Sequence, residues 1–333
     1  MASRSVSIIN NIQQQYLFYS STILLPLGCI GNLCEIFVFM TLRSFRGNQC
    51  TFIFIVESIS NIGLLLSIFL PYFDTRIEGR DPTNVSVVWC KLQGPIQQIF
   101  GLCSLFTICF LTFDQYMCTN PRPYWRQIIS LKFTHRFIFF MICFVILHSI
   151  PFFILTELRP TSGCNIFSAA MNSYYKYFYY PILSSSLPLV ITIVFSLFSY
   201  RNVRRIVRRQ IPIDRRRLDQ QLTAMVLARV VCLISLGLPY IFYNLYRVTF
   251  RTAETNQVVL AVTNLINSIT NSMLYINFSI NFYLFLIIST RFRRQVKRFI
   301  IKKYLHFIHK KHSNRNQVAP IIPHLIISNV ESL

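Results

Sequence analysis

The chain of 333 residues carries few charges: only 13% of its residues are Asp, Glu, Lys or Arg, whereas 53% are hydrophobic. A soluble domain ordinarily has about 25% charged residues, so the composition excludes both a soluble globular protein and a disordered one. The formal net charge is +22, which in a soluble protein indicates nucleic-acid binding. Here the high hydropathy indicates a membrane protein with basic loops, and no nucleic-acid partner is expected.

Seven apolar stretches are long enough to cross a bilayer, for which a helix needs about 20 residues. Numbered as spans 1 to 7, they are Leu17–Leu42, Cys50–Phe73, Cys90–Met117, His135–Thr156, Tyr174–Tyr200, Leu222–Tyr246 and Val258–Ser289. Alternating strand segments of the kind that build membrane barrels are absent, so each span is expected to be a helix. The sequence therefore predicts an all-α membrane protein, a seven-transmembrane-helix bundle over residues 17–289, with one further short helix.

Lys and Arg are distributed unevenly between the two sides of this bundle. With the N-terminus outside, 25 of the 33 basic residues fall on the cytoplasmic side, as the positive-inside rule requires. Residues 1–16 are then extracellular and residues 304–333 form a cytoplasmic tail. Residues 290–303 are amphipathic, which predicts a short helix on the membrane surface; its apolar face consists of Phe292, Val296, Phe299 and Ile300. The basic face of the protein makes an anionic inner leaflet its expected lipid partner.

The cysteines and one glycosylation sequon fit this topology. Of ten cysteines, only Cys90 and Cys164 lie on the extracellular side, where disulfides form and persist, so these two are predicted to pair. Asn84 begins an Asn-Val-Ser sequon in an extracellular loop and is a candidate glycosylation site.

Polar side chains recur inside the spans, where an unsatisfied polar group is expensive. The predicted intramembrane polar network consists of Asn32, Asn61, Ser104, Asn277 and Asn281. It serves either as interhelical hydrogen bonding or as a relay that rearranges during switching. Glu35 and Glu57 each need a partner or a proton at this depth, and Arg229 is the cation at similar depth. Whether the three side chains meet is left open by the sequence.

Several spaced motifs carry a family resemblance. They are Gly31-Asn32 in span 1, Asp114-Gln115-Tyr116 ending span 3 with Gln115 placed 25 residues after Cys90, Pro188, Pro239, and Asn277-x-x-x-Asn281 in span 7. With seven spans and an outer cysteine pair, the chain resembles the rhodopsin-like (class A) G-protein-coupled receptors, and within them the invertebrate FMRFamide or neuropeptide receptors. The resemblance implies a plasma-membrane receptor that binds an extracellular ligand and signals to a heterotrimeric G protein, without a cofactor or enzymatic activity.

The chain departs from the family at its switch positions. The resemblance assigns the coupling switch to Asp114, Gln115, Tyr116, Asp219 and Arg229, but Gln115 replaces the family's arginine. A Gln115–Asp219 hydrogen bond is weaker than the ion pair it replaces. Gly237 stands where the family has tryptophan, and Asn61 stands where it has the sodium-binding aspartate.

The resemblance also narrows the ligand. Gln97 occupies the position where amine receptors have aspartate, and Tyr275 occupies the position of the retinal-binding lysine, so amines and retinal are disfavoured. Gln97 and Gln98 instead offer amides that suit a peptide backbone. The predicted cavity faces, spaced by helical turns, are Tyr240, Asn244 and Arg247 in span 6 and Asn267, Asn271 and Tyr275 in span 7.

Three alternatives stay open at this point. The first is that the polar and aromatic residues serve structure rather than ligand binding. The polar faces of spans 6 and 7 are then explained equally well by hydrogen bonding between helices, and the tyrosines of residues 174–180 are better explained as an interfacial aromatic belt. Glu35 and Glu57 could line an ion pathway in a transporter or channel, although the sequence has no internal repeat with paired broken helices. A non-signalling seven-helix scaffold is the third alternative, because Gln115 and Gly237 alter the switch.

Overall fold

The computed structural model describes residues 2–42, 45, 47–79, 81–160, 162–206, 213–249 and 257–298. Its long helices are Ala2–Thr41, Gln49–Glu78, Val87–Cys118, Leu131–Leu155, Leu187–Ile206, Ile213–Thr249 and Gln257–Ser279. Shorter helices are Pro82–Val85, Pro123–Ile128, Ala169–Tyr174, Asn281–Ile288 and 290–298, a π-helix covers Tyr175–Ser186, and two strands cover Thr156–Arg159 and Gly163–Ile166. Seven helical segments are long and apolar enough to cross a membrane, which confirms the predicted number of spans.

The spans pack side by side, and the first span along the chain contacts the last. Span 1 packs against spans 2 and 7, and span 7 packs against span 6. Span 3 contacts spans 2, 4, 5 and 6, so it is the most central of the seven. We call the end of the bundle that holds Cys90 the disulfide end, and the other the opposite end.

Span 1 is longer than the sequence predicted. Its helix begins at Ala2 rather than Leu17, so the described part of the expected N-terminal segment 1–16 continues the span. Gln13 Nε2 donates to Ser268 Oγ in span 7 at 2.9 Å, and the Gln14 carbonyl accepts from Arg76 Nη2 at 3.0 Å. Hydropathy marks only the lipid-buried part of a helix, whereas glutamine is a good helix former outside it.

Span 5 contains twelve residues of π-helix, Tyr175–Ser186, with Pro181 inside it. Proline has no backbone N–H, and side chains take up nearby carbonyls: Ser184 Oγ donates to Tyr180 O at 3.0 Å and Ser186 Oγ to Pro181 O at 2.7 Å. A π-turn advances fewer degrees per residue than an α-turn, so this stretch changes which side chains point into the bundle. No apolar pattern in the sequence indicated it.

The connection between spans 4 and 5 forms an antiparallel hairpin that the all-α prediction did not include. Leu158 pairs with Cys164, and Gly163 adopts a φ of 67° at the turn, a backbone region that glycine enters at little cost. The structure pairs Cys90 with Cys164, as predicted, with 5.6 Å between their Cα atoms. The disulfide therefore fastens the hairpin to the start of span 3.

Span 7 is interrupted, although the sequence predicted one helix over Val258–Ser289. Ile280 has φ −99° and ψ 0°, so the helix stops at Ser279 and restarts at Asn281. The Asn281 side chain is bonded to span 2 rather than to its own helix. This places the two predicted asparagines of span 7, Asn277 and Asn281, on either side of the break.

The described part of the predicted surface helix is helical over 290–298. It buries Phe292 and Val296 and exposes four basic side chains, Arg293, Arg294, Lys297 and Arg298, which is the predicted amphipathic pattern. Phe299, Ile300 and the tail 304–333 lie outside the described residues, and the position of the helix on a membrane stays a prediction.

Candidate ligand cavity and switch residues

At the disulfide end, one buried and two half-buried tyrosines from three spans come together. Tyr240 of span 6 and Tyr275 of span 7 lie within electrostatic range of Tyr180 from the π-helix, and Arg247 lies within range of Tyr180 and Tyr240. Arg247 is exposed, and its guanidinium carbon lies 5.9 Å from the ring centre of Tyr243. Three predicted ligand residues, Tyr240, Tyr275 and the cation Arg247, are thus brought to one place beside Tyr180.

Gln98 of span 3 occupies the same region. It is buried beside Tyr179, and neither atom of its amide has a well-formed hydrogen bond to another described residue. A buried amide without partners is unusual in a folded protein. Gln98 therefore retains hydrogen-bonding capacity that a ligand could use.

The other four predicted ligand residues are engaged within the helices. Gln97 Nε2 donates to the Ser67 carbonyl of span 2 at 3.0 Å, and Asn244 Nδ2 donates to the Tyr240 carbonyl at 3.0 Å. Asn271 Nδ2 donates to Asn267 Oδ1 at 3.1 Å. Only the Gln97 contact joins two spans, so it alone fits the alternative of hydrogen bonding between helices. The asparagine contacts lie within spans 6 and 7, and each of these side chains has at least one protein partner.

A cavity lies deeper, between spans 3, 5, 6 and 7. Its empty volume is about 290 Å³ when the space open to solvent is included. It is lined by Leu105, Ser184, Ser185, Pro188, Leu189, Leu233, Gly237, Tyr240, Ile241 and Leu274. A Cβ added at Gly237 meets no atom within 4 Å. The lack of a side chain at Gly237 thus contributes open space at the position where the sequence resemblance implies a tryptophan.

The first part of the predicted polar network joins spans 1, 2, 3 and 7. Ser104 Oγ donates to Asn61 Oδ1 at 2.6 Å, and Asn61 Nδ2 donates to Asn32 Oδ1 at 3.2 Å. Asn32 Nδ2 in turn donates to the carbonyl of Phe278 at 3.0 Å. All three side chains are buried, so the chain of hydrogen bonds crosses the interior of the bundle.

The second part is built on an ion pair between spans 2 and 6. Arg229 Nε donates to Glu57 Oε1 at 2.8 Å, with both side chains fully buried. Asn281 Nδ2 donates to the same Glu57 oxygen at 2.9 Å, and Arg229 Nη1 donates to Asn277 Oδ1. Glu35 lies within electrostatic range of Glu57 and Arg229. The question that the sequence left open is thereby answered in part: Glu57 and Arg229 pair, and Glu35 belongs to the same buried cluster without an ion pair to Arg229.

The predicted switch triplet lies at the opposite end of span 3 and is tied to spans 2 and 6. Cys50 Sγ donates to Asp114 Oδ2 at 2.9 Å and accepts from Gln115 Nε2 at 2.7 Å. Thr223 Oγ1 donates to Gln115 Oε1 at 3.0 Å. The side chain of Asp219 lies outside the described residues, so its expected bond to Gln115 stays a prediction.

Tyr116 points away from Cys50 and Thr223, the residues that Asp114 and Gln115 contact. Its ring packs against Phe195 and Phe198 of span 5, with ring centres 5.7 and 5.8 Å apart. The triplet therefore contacts three neighbouring spans, with Asp114 and Gln115 facing spans 2 and 6 and Tyr116 facing span 5.

Asn84 is exposed, and its amide is engaged at the base of the hairpin. Asn84 Oδ1 accepts the backbone N–H of Cys164 at 3.2 Å, and Nδ2 donates weakly to Asp81 Oδ2 at 3.4 Å. Glycosylation of Asn84 stays a prediction, and Nδ2, the atom to which a glycan attaches, carries the weaker of the two contacts.

Sequence reasoning missed four residues of these sites: Tyr179, Tyr180, Cys50 and Thr223. The aromatic-belt interpretation fits Tyr177 and Phe178, which are exposed, but Tyr179 is buried in the bundle. The π-helix that turns it inward has no sequence signature. Thr223 could have been found from its position, since it lies one helical turn after Asp219, the expected partner of Gln115.

Comparison with known families agrees with this architecture. A family described as 7 transmembrane receptor (rhodopsin family) matches residues 31–281, from the Gly31-Asn32 motif to Asn281. No curated protein matches the chain at a significant level. Because the family match covers most of the chain and all seven spans are present, the chain belongs to the rhodopsin family of seven-transmembrane, G-protein-coupled receptors and is a multi-pass protein of the plasma membrane.

Proposed function

We propose that this receptor binds a peptide-like extracellular ligand at the disulfide end. The observation that carries the proposal is the buried Gln98 amide, which lies beside Tyr179 of span 5 but makes no well-formed hydrogen bond to it or to another described residue. Such an amide can donate to a carbonyl and accept from an N–H, the two groups that a peptide backbone repeats. Tyr240, Tyr275 and Arg247 supply further hydrogen-bond donors close by.

The neighbouring residues refine the proposed ligand site. Gln97, Asn244, Asn267 and Asn271 already have protein partners, so they hold the shape of the cavity unless a ligand displaces those bonds. The resemblance to neuropeptide receptors points in the same direction. An amine remains disfavoured, because Gln97 offers no carboxylate to an ammonium group.

The proposal includes an orientation with the disulfide end outside the cell. Disulfides persist in oxidising compartments, and the opposite end carries most of the basic residues, as expected for a cytoplasmic face on an anionic leaflet. The heterotrimeric G protein would then bind at the opposite end, near Asp114, Gln115, Tyr116, Asp219 and Arg229. Removal of the sequon by Ser86→Ala should abolish a glycan-dependent shift in gel mobility if Asn84 faces outside.

A nucleotide-exchange assay tests the ligand. Purified receptor in lipid nanodiscs is combined with G proteins and screened against a peptide library. For any active peptide, Gln98→Leu should weaken potency about tenfold, equivalent to about 1.4 kcal/mol, because the ligand then leaves a polar group unpaired in a buried site.

Phe242→Leu provides the matched control. Phe242 lies in the same half of span 6 as Tyr240 but is 64% exposed on the lipid side, so potency should be unchanged. If no peptide stimulates exchange, or if Gln98→Leu and Phe242→Leu give equal potencies, the peptide proposal is wrong. Ligand-independent uptake or conductance in proteoliposomes would favour a transporter or channel instead.

A further inference from the structure

The intramembrane cluster of Glu35, Glu57 and Arg229 does not balance in charge. All three side chains are fully buried, and they comprise two carboxyl groups and one guanidinium. The guanidinium is committed to Glu57, with Nε 2.8 Å from Glu57 Oε1. Glu35 therefore has no cation of its own, although an isolated buried carboxylate is strongly disfavoured.

The hydrogen bonding of the cluster is equally incomplete. Both oxygens of Glu35 lack a partner among the described residues, and so do Glu57 Oε2 and Asn281 Oδ1. The Ser58 hydroxyl lies beside Glu35 without a well-formed hydrogen bond to it. Four acceptor atoms from spans 1, 2 and 7 and two donor atoms, Arg229 Nη2 and Asn277 Nδ2, thus lack a well-formed hydrogen bond among the described residues. Buried polar atoms of this kind require an explanation.

The surroundings supply no other charge that could correct the balance. Among the described residues, the titratable or charged groups that face the cluster are Glu57 from span 2, Arg229 from span 6 and, next to Arg229, the Cys232 thiol of span 6. Span 7 contributes only the neutral side chains Asn277 and Asn281. One added proton balances the charge and gives one carboxyl oxygen a hydrogen to donate.

We propose that Glu35 is a proton-binding site in the interior of the bundle, occupied at neutral pH while Arg229 is paired with Glu57. The proton comes from solvent, adds to a Glu35 carboxylate oxygen and leaves the cluster neutral. The resulting O–H is a donor in a cluster with unfilled acceptors, among them Glu57 Oε2. The proposal concerns the folded protein itself and does not rest on the identity of the ligand.

The number of protons should depend on Arg229. If Arg229 is removed, Glu57 becomes a second buried carboxylate without a cation, so the cluster should take up a second proton. The same uptake is expected whenever span 6 carries Arg229 away from span 2. Proton binding is then linked to the position of span 6, since a ligand shifts an equilibrium by its different affinity for the two states.

Infrared difference spectroscopy of purified receptor in nanodiscs at neutral pH tests the proposal, because a protonated carboxyl group has its own carbonyl stretching band. Subtraction of the Glu35→Gln spectrum from the wild-type spectrum should show one such band. Glu157→Gln should show none, since Glu157 is exposed and paired with Arg159. Asp114 is also buried and lies at the opposite end of span 3. The Asp114→Asn spectrum therefore shows how much this residue contributes to the carboxylic-acid region.

Arg229→Gln should add a second carboxylic-acid band, and Arg229→Gln combined with Glu57→Gln should remove it again. If Glu35→Gln fails to fold, Glu35→Asp replaces it, and the band should shift in frequency rather than disappear. A wild-type spectrum identical to that of Glu35→Gln in this region overturns the proposal. The proposal is also overturned if the band is absent in sodium buffer and present when an organic cation replaces sodium. In that case a sodium ion, rather than a proton, balances the charge of Glu35 in sodium buffer.

Discussion

Single residues decide how firmly spans 3 and 6 are held together at the opposite end. Gln115 stands at the position where the family has an arginine. Gln115 Oε1 accepts a hydrogen bond of 3.0 Å from Thr223 Oγ1 in span 6. Both residues are buried. A neutral hydrogen bond contributes a net 0.5–1.5 kcal/mol, roughly, which is less than a bond to a charged group. The tie between the two spans is therefore expected to be weak.

Thr223→Val should raise ligand-independent nucleotide exchange by about two- to tenfold, the change in equilibrium that corresponds to loss of one neutral hydrogen bond. Thr192→Val is the control, because the buried Thr192 hydroxyl bonds only to its own helix, at 2.9 Å from Pro188 O. Basal exchange rates of the two variants in nanodiscs are compared with wild type. Equal rates for both variants would show that the Gln115–Thr223 bond does not restrain span 6.

The sequence predicted the identities of most site residues but few of their partners. Position in the span-3 triplet was enough to find Asp114 and Gln115, and helical spacing was enough to find Tyr240. The partners Cys50 and Thr223 lie 64 and 108 residues away from the triplet residues they contact. Contacts of that kind depend on the rotation of each helix about its axis, which hydropathy does not determine.

At the scale of the helix, glycines in the spans serve two opposite purposes. A Cβ added at Gly28 would lie 2.4 Å from Leu65 Cδ1 and 2.7 Å from Ser279 Oγ, whereas one at Gly237 would meet nothing within 4 Å. Gly28 therefore permits close packing of span 1 on spans 2 and 7, as small residues do in membrane bundles. Gly237 leaves space beside span 5.

The same substitution should consequently have opposite effects at these two positions. Gly28→Ala should lower thermal stability, because overpacking costs about 1–3 kcal/mol and exceeds the gain in helix propensity. Gly237→Ala should raise stability by about 0.5–1 kcal/mol, since alanine is favoured over glycine inside a helix. Thermal unfolding of both variants in one detergent measures the difference. A loss of stability at Gly237 would mean that the cavity there does not accept a methyl group.

The hairpin is fastened to span 3 by the disulfide and to the helix Pro82–Val85 by the hydrogen bond from Cys164 N–H to Asn84 Oδ1. The disulfide closes a separation of 74 residues, which corresponds to roughly 4 kcal/mol in the chain-entropy description of the unfolded state. Cys90→Ala, Cys164→Ala and the double variant should therefore lose similar stability, because each removes the same bond. Unfolding temperatures of the three variants test this, and additive losses would indicate that the two thiols contribute separately.

For the whole molecule, the number of spans was predictable and the internal geometry was not. Twenty-residue apolar stretches are a direct consequence of bilayer thickness. The π-helix at Tyr175–Ser186, the break at Ile280 and the hairpin all depend on local backbone bonding, to which a hydropathy average is insensitive. To predict that Glu57 pairs with Arg229, one must know which spans are neighbours and how spans 2 and 6 are rotated about their axes. The sequence alone showed only that each buried charge needs a partner.

That pair is the strongest polar connection between span 6 and the rest of the bundle among the described residues. Removing one member of a buried ion pair costs about 3–5 kcal/mol, whereas replacing both with apolar residues is often neutral or stabilising. Arg229→Met should therefore lower thermal stability and raise basal nucleotide exchange. The double variant Glu57→Met with Arg229→Met should recover stability while its basal exchange stays high, because span 6 is still released from span 2.

Comparison of the single and double variants shows whether the Glu57–Arg229 pair restrains span 6 or only stabilises the fold. Val231→Met, at a position of span 6 that is 64% exposed, controls for the added methionine and should behave like wild type in both measurements. If the double variant instead regained wild-type basal exchange together with its stability, the pair would be a packing element only. A double variant that is stable and active without ligand would show that the Glu57–Arg229 bond restrains span 6, in a receptor whose span-3 arginine has been replaced by Gln115.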